Sequence, residues 1–218
     1  MAKRIGLLGG TFDPIHYGHL TIAEQCREVG NLEEIHFMPA AVPPHKLRLD
    51  MAGLEDRVAM IGLAIRDNPF FQLETIEAGR DGPSYTADTL RELKQRNPDM
   101  EIHFIMGADG VVDLPNWHLP RQILELCSLC IVHRPGFPAP DMVGLAHRLE
   151  IEFEAISQRV IPTVRSDVSS SDIRHRIATG KSVRYMVPDE VAKWIDERKL
   201  YSQPRLAGIA ASNRRSSE

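Results

Sequence analysis

Short apolar runs of strand length recur along the chain, separated by stretches with helical spacing. Residues 3–8 (KRIGLL) read as a buried strand. Residues 34–38 (EIHFM), 70–73 (FFQL), 101–106 (EIHFIM), the cysteine-bearing run reaching Val132, and 159–162 read the same way. Between them, Leu20, Ala23 and Cys26 share one helical face after Tyr17, and Val58, Ile61 and Ile65 share another within residues 54–65. Further helices are predicted over 87–96, 121–126 and roughly 142–153. Another runs from Ser169 to Thr179-Gly180, and a last one opens at Val187-Pro188-Asp189-Glu190 with Val191, Trp194 and Ile195 on its buried face. Six strands alternating with helical or loop material imply right-handed crossovers. The expected fold is α/β, a doubly wound, mainly parallel sheet with helices on both faces. Residues 1–202 are expected to form one domain, with 169–202 as its C-terminal helical portion. Residues 203–218, small and polar, are expected to be a disordered tail.

The joints between these elements carry the chemistry. Gly9-Gly10-Thr11-Phe12-Asp13-Pro14 breaks the first strand, and Tyr17 opens a helix. Strand, glycine turn and helix start aim backbone N–H groups and a positive helix end at one spot, which suits a phosphate. His16 and His19, three residues apart, share a face there and can donate to phosphoryl oxygens. Gly18 between them would let a ligand approach the backbone. Neither GxxxxGK[ST] nor GxGxxG is present. A histidine pair can also hold a metal, but no third ligand stands at suitable spacing, so no protein metal site is assigned.

Later loops add candidates. His45 and Lys46 end a proline-rich segment at a strand's carboxyl end, where an anion could be met; a solvated lysine is the alternative. Ser84, Tyr85 and Thr86 precede a helix, and Ser84 or Thr86 can cap it or the helix end can face an anion. Gly107-Ala108-Asp109 closes the fourth strand, where an acid can accept from a ribose or a base amino group. Trp117 lies in a polar, proline-flanked loop, either covering the core or offering a plate to a planar ring. Ser169 can cap a helix with Asp172 at capping-box distance, which leaves Ser170, Ser171 and Arg174 as an anion-friendly cluster.

Bulk properties narrow the classes. A net charge of −4 over 218 residues argues against a general nucleic-acid binder. No stretch reaches transmembrane length, and Met1-Ala2-Lys3-Arg4 runs into a strand without an apolar signal region, so a soluble cytoplasmic protein is expected. Three cysteines imply no disulfide framework. Cys127 and Cys130, though spaced CxxC, sit in an apolar run and read as core residues.

Gly9–His19 resembles the signature of the HxGH nucleotidylyltransferases, which bind a nucleoside triphosphate on a Rossmann-like fold. Over about residues 3–201, the further elements PPHK (43–46), SYT (84–86), GAD (107–109) with Trp117, RPG (134–136), VSSSDIR (168–174) and Val187-Pro188 are similar to the bacterial nicotinate mononucleotide adenylyltransferases. One departure is visible: the family's ISSTxIR stands here as VSSSDIR, which keeps one apolar residue and one hydroxyl. The resemblance implies transfer of AMP from ATP to nicotinate mononucleotide, giving deamido-NAD and pyrophosphate in NAD biosynthesis, with Mg2+ accompanying ATP.

On that resemblance, His16, His19, Lys46 and Arg174 would be catalytic. ATP would meet Gly9, Gly10, Thr11, Phe12, Gly107, Asp109, Arg134, Ser170 and Ser171 as well as His16, His19 and Arg174. The mononucleotide would meet His45, Lys46, Ser84, Tyr85, Thr86 and Trp117. No nucleic-acid or membrane partner is implied, and a homo-oligomer is left open. The alternatives are a related transferase with a phosphopantetheine or nicotinamide mononucleotide acceptor, or a non-catalytic nucleotide-binding protein. A class I aminoacyl-tRNA synthetase also carries HxGH, but this chain lacks a KMSKS-like loop and an anticodon-binding domain.

Overall fold

The computed structural model describes residues 2–42, 51–80, 82–133, 140–156, 158–163 and 166–202. In chain order the elements are β1 (Arg4–Gly10), α1 (Tyr17–Gly30), β2 (Glu34–Pro39), α2 (Leu54–Ile65), β3 (Phe71–Leu73), α3 (Thr86–Arg96), β4 (Glu101–Gly107) and α4 (Ala108–Asp113). They continue with α5 (Pro120–Leu126), β5 (Ser128–His133), α6 (Met142–Leu149), β6 (Gln158–Pro162), α7 (Ser170–Ala178) and α8 (Asp189–Glu197). The six strands form one sheet in the order β3-β2-β1-β4-β5-β6, and all five pairings are parallel.

Alternation along the central strands puts successive side chains on opposite faces of this sheet. Ile5, Leu7, Phe104, Met106, Leu129 and Ile131 pack with α3, α5 and α6. Leu8, Ile105, Cys130 and Val132 pack with α1, α2, α7 and α8. Both faces are covered, as the apolar runs require, and this is the expected doubly wound α/β arrangement. Strand order reverses between β1 and β4, so the carboxyl ends of these two strands flank the crevice in which such sheets receive ligands. β1 ends there at Gly10 and β4 at Gly107.

Three expectations change in detail. The buried face of α2 carries Arg57, Met60, Ile61 and Ile65, while Val58 is only half-buried. The face turns because Arg57 finds carbonyl partners inside. The helix expected to reach residue 153 stops at Leu149, where Glu150 takes a left-handed conformation (φ 51°) and its N–H closes on Ala146 and His147. On α8, Val191 and Ile195 are buried, whereas Trp194 is half-buried because its indole N–H reaches out to Asp56 (3.2 Å). All three cysteines are free and buried. Cys127 donates to the carbonyl of Ile123 (3.1 Å), and burial pushes its thiol up to about 12, as expected of a core residue.

Candidate active site

The turn after β1 is bent sharply. Phe12 has φ 47°, a conformation that a bulky L-residue rarely adopts, and the Asp13–Pro14 peptide is cis. The Phe12 ring is buried with its edge against the His19 ring, centroids 5.0 Å apart. His16 caps α1, and its ring stacks on His19 at 3.7 Å and 26°. The backbone N–H of His16 donates to Nδ1 of His19 (3.3 Å). Nδ1 is therefore an acceptor, and in the neutral ring the proton sits on Nε2.

His16 lies beneath, 6% exposed, and desolvation lowers its pKa to about 4. The two histidines thus divide into a buried neutral support and a partly exposed donor. Gly18 serves this stack rather than a ligand: a Cβ there would stand 3.0 Å from the His16 ring and from Ser166 Oγ. The helix start is also less open than its dipole suggests, because the Tyr17 N–H donates to the carbonyl of Met186 (3.0 Å).

Helix α7 meets this turn from the other side. Ser169 caps it, accepting from the Asp172 N–H (3.2 Å). Ser170 Oγ donates to the carbonyl of Pro14 (2.9 Å). Arg174, buried, donates through Nη1 to the Asp13 carbonyl (2.5 Å) and through Nη2 to Ser171 Oγ (3.4 Å). Gly9, Gly10, Thr11, Phe12, Asp13, His19, Ser170, Ser171 and Arg174 line one cavity of about 440 Å³. His16 stands behind it.

A second cavity, of about 620 Å³, is lined by Ser84, Tyr85, Thr86, Asn116, Trp117, His118 and Ile123. Trp117 both packs against the core, edge-on to Phe104 (6.1 Å, 80°), and presents itself to this cavity, its indole N–H donating to Asp113 (3.1 Å). Tyr85 leans over His118, ring centroids 4.4 Å apart. Neither Ser84 nor Thr86 caps α3: the cap is Tyr85, without a side-chain bond. Ser84 Oγ instead accepts the N–H groups of Ala41 and Val42 (3.1 and 3.3 Å), tying the start of α3 to the segment after β2. Asp109 is exposed in the first turn of α4, close enough to Gly107 that a Cβ there would collide with its carboxylate. His45, Lys46 and Arg134 lie outside the described residues.

Three polar residues that hold this site do not stand out in the sequence. Asp13 is 2% exposed, and its Oδ1 accepts from Tyr201 Oη (2.6 Å) and from the Ala52 N–H (3.1 Å). Arg57, 1% exposed, donates to the carbonyls of Thr11 (2.9 Å), Ala40 (2.8 Å), Ala41 (3.3 Å) and Ala52 (3.2 Å). A cation on the apolar face of α2 is the signal that could have found Arg57. Asp13 reads from the sequence only as a turn former. Nothing local marks Tyr201. His118 and Asn116 carry no signal of their own either, although they flank Trp117.

Among the described residues no cluster of three His, Cys, Asp or Glu side chains could hold a metal. The buried carboxylate of Asp13 is already engaged by protein donors. A divalent ion would therefore arrive with a polyphosphate ligand rather than sit in a protein cage.

A parallel sheet reversing at β1/β4, with a histidine pair and a second helix start at the same strand end, defines a nucleotide-handling α/β protein. The chain belongs to the cytidylyltransferase-like family, whose model matches residues 7–176. Its relatives include two proteins named "Probable nicotinate-nucleotide adenylyltransferase". The one from Geobacillus thermodenitrificans (strain NG80-2) is 42% identical over 91% of this chain and 86% of its own length. That from Roseiflexus sp. (strain RS-1) is 44% identical over 90% of this chain and 97% of its own. A solved structure of Plasmodium falciparum nicotinic acid mononucleotide adenylyltransferase complexed with NaAD shares the fold, with TM-score 0.75 and 18% identity over 93% of this chain and 98% of that one.

Proposed function

We propose that this protein transfers AMP from ATP to nicotinate mononucleotide, releasing pyrophosphate and forming deamido-NAD. The carrying observation is that His19, stacked on His16, lines one cavity with Arg174 and Ser171. The relatives' names supply the acceptor. The nucleophile, a mononucleotide phosphate, is already an anion near neutral pH, so the protein has no proton to remove from it. Its task is alignment and stabilisation of charge on the transferring and leaving phosphates. His19 Nε2–H is the donor for the α-phosphate, chiefly in the transition state. Arg174 with Ser170 and Ser171 takes the β- and γ-phosphates, and Mg2+ comes as the ATP complex.

Gly9, Gly10, Thr11 and Phe12 form the floor under the triphosphate, and Gly107 and Asp109 frame the adenosine. Arg134 is assigned to the ATP side and His45 with Lys46 to the mononucleotide phosphate, both on the family resemblance alone. The nicotinate ring goes to Trp117, with its carboxylate toward the backbone at Tyr85 and Thr86. An N–H pair there favours an acid over a carboxamide, whose NH2 it cannot serve. Pyrophosphate release tests this. Turnover is expected with ATP and nicotinate mononucleotide and should fall sharply with nicotinamide mononucleotide. None is expected with phosphopantetheine. Release with phosphopantetheine, or none with either mononucleotide, overturns the assignment.

A further inference from the structure

The loop that carries Ser84, Tyr85 and Thr86 is tied down at both ends. At its tip, Ser84 Oγ accepts from the Ala41 and Val42 N–H groups. At its base, three polar side chains meet on α3. Arg80 Nη1 donates to Thr89 Oγ1 (3.1 Å), and that hydroxyl donates to Glu77 Oε1 (2.8 Å). A hydroxyl has one proton to give. The carboxylate oxygen is nearer and a stronger acceptor than the Tyr85 carbonyl at 3.3 Å, so the relay runs from Arg80 through Thr89 to Glu77. Thr89 is fully buried and Glu77 is 3% exposed, while Arg80 reaches outward and also pairs with Glu92.

For stability alone this is a costly way to join a loop to a helix. Glu77 Oε2 has no hydrogen-bond partner among the described residues, and a buried, half-satisfied carboxylate carries a penalty that an apolar side chain would not. What the relay fixes is the first turn of α3, where the Tyr85 carbonyl accepts from the N–H groups of Asp88 (3.1 Å) and Thr89 (3.2 Å). The backbone of Tyr85 and Thr86 is thereby held on the wall of the larger cavity. We infer that Glu77, Thr89 and Arg80 are positioning residues that set the preference for a carboxylate over a carboxamide on the acceptor ring. Hydrogen bonds weaken steeply with misalignment, so an N–H pair discriminates between the two groups only while its direction is held. The three side chains act through that backbone, from behind the residues that line the cavity. The inference rests on the proposed placement of the nicotinate carboxylate at Tyr85 and Thr86.

The test is pyrophosphate release with nicotinate and with nicotinamide mononucleotide, read as the ratio of kcat/KM for acid over amide. KM for ATP and melting temperatures are measured alongside. Thr89→Val keeps the shape and removes the hydroxyl. It should lower the ratio about tenfold, the worth of one hydrogen bond, with KM for ATP changing less than about twofold. Thr89→Ser restores the hydroxyl and should keep the wild-type ratio. Arg80 is half-buried, so Arg80→Leu leaves the core intact; it should lower the ratio about threefold, and it decides alone where Thr89→Val does not fold. A ratio unchanged in Thr89→Val or in Arg80→Leu overturns the inference, and so does a Thr89→Ser ratio as low as that of Thr89→Val. An equal loss on ATP marks a general structural role and overturns it too. Wild type without any preference for the acid removes the carboxylate's placement and the inference together.

Discussion

The His16–His19 pair shows how one motif yields two different residues. His19 accepts at Nδ1 from the His16 backbone and is only partly exposed; His16 is buried and neutral. His19→Ala should lower kcat about a hundredfold or more while the melting temperature stays near wild type, the scale of losing one preorganised donor. Wild-type turnover would remove His19 from the chemistry. His16 makes a prediction about stability. Its folded pKa, about 4, lies below the ordinary value of 6.5, so between those limits the unfolded chain binds the extra proton. Its contribution is intact above about pH 6.5 and is lost as pH falls toward 4. Across that window each pH step of one costs about 1.4 kcal/mol at most. His16→Asn should therefore flatten the loss of stability between pH 6.5 and 4, read from urea midpoints at several pH values. An unaltered slope would show that another group governs it.

At the scale of elements, α2 is the least conventional piece. Neighbouring residues on it point to different tasks: Asp56 grips α8, and Arg57 turns inward to four carbonyls, those of Thr11, Ala40, Ala41 and Ala52. Arg57→Met should destabilise by about 3 kcal/mol or more, because buried carbonyls lose their donor. Asp56→Ala should cost about 1 kcal/mol, its partners being nearer solvent. Denaturant titration separates the two, and equal losses would deny the distinction. This helix also marks where pattern reading stops. The strands were legible because alternation and apolar runs are local, and so was the Ser169 cap. Arg57 broke the periodicity without saying why, since its partners come from three other segments. The same holds for Ser84: its hydroxyl suits a cap, and only the folded chain brings Ala41 and Val42 to it.

In the whole molecule the two cavities stand at the ends of different strand sets, one at β1 and α7, the other at α3 and the segment after β4. Trp117→Ala should accordingly raise KM for the mononucleotide and leave KM for ATP unchanged; an equal loss on both substrates would count against a ring plate. Gly9, Thr11, His19 and Arg174 could be grouped from the sequence because the motif resemblance joins them across the chain. Tyr201 could not, because its partner is 188 residues away and no spacing rule spans that distance. That separation has a consequence for biogenesis. A ribosome delivers Tyr201 188 residues after Asp13, so the nascent chain carries this carboxylate without its phenol while that stretch is made. Arg174 also emerges before Tyr201, at a stage when the Ala52 N–H is already made and the phenol is still missing. The turn after β1 gains its phenol contact only after α8 has been made.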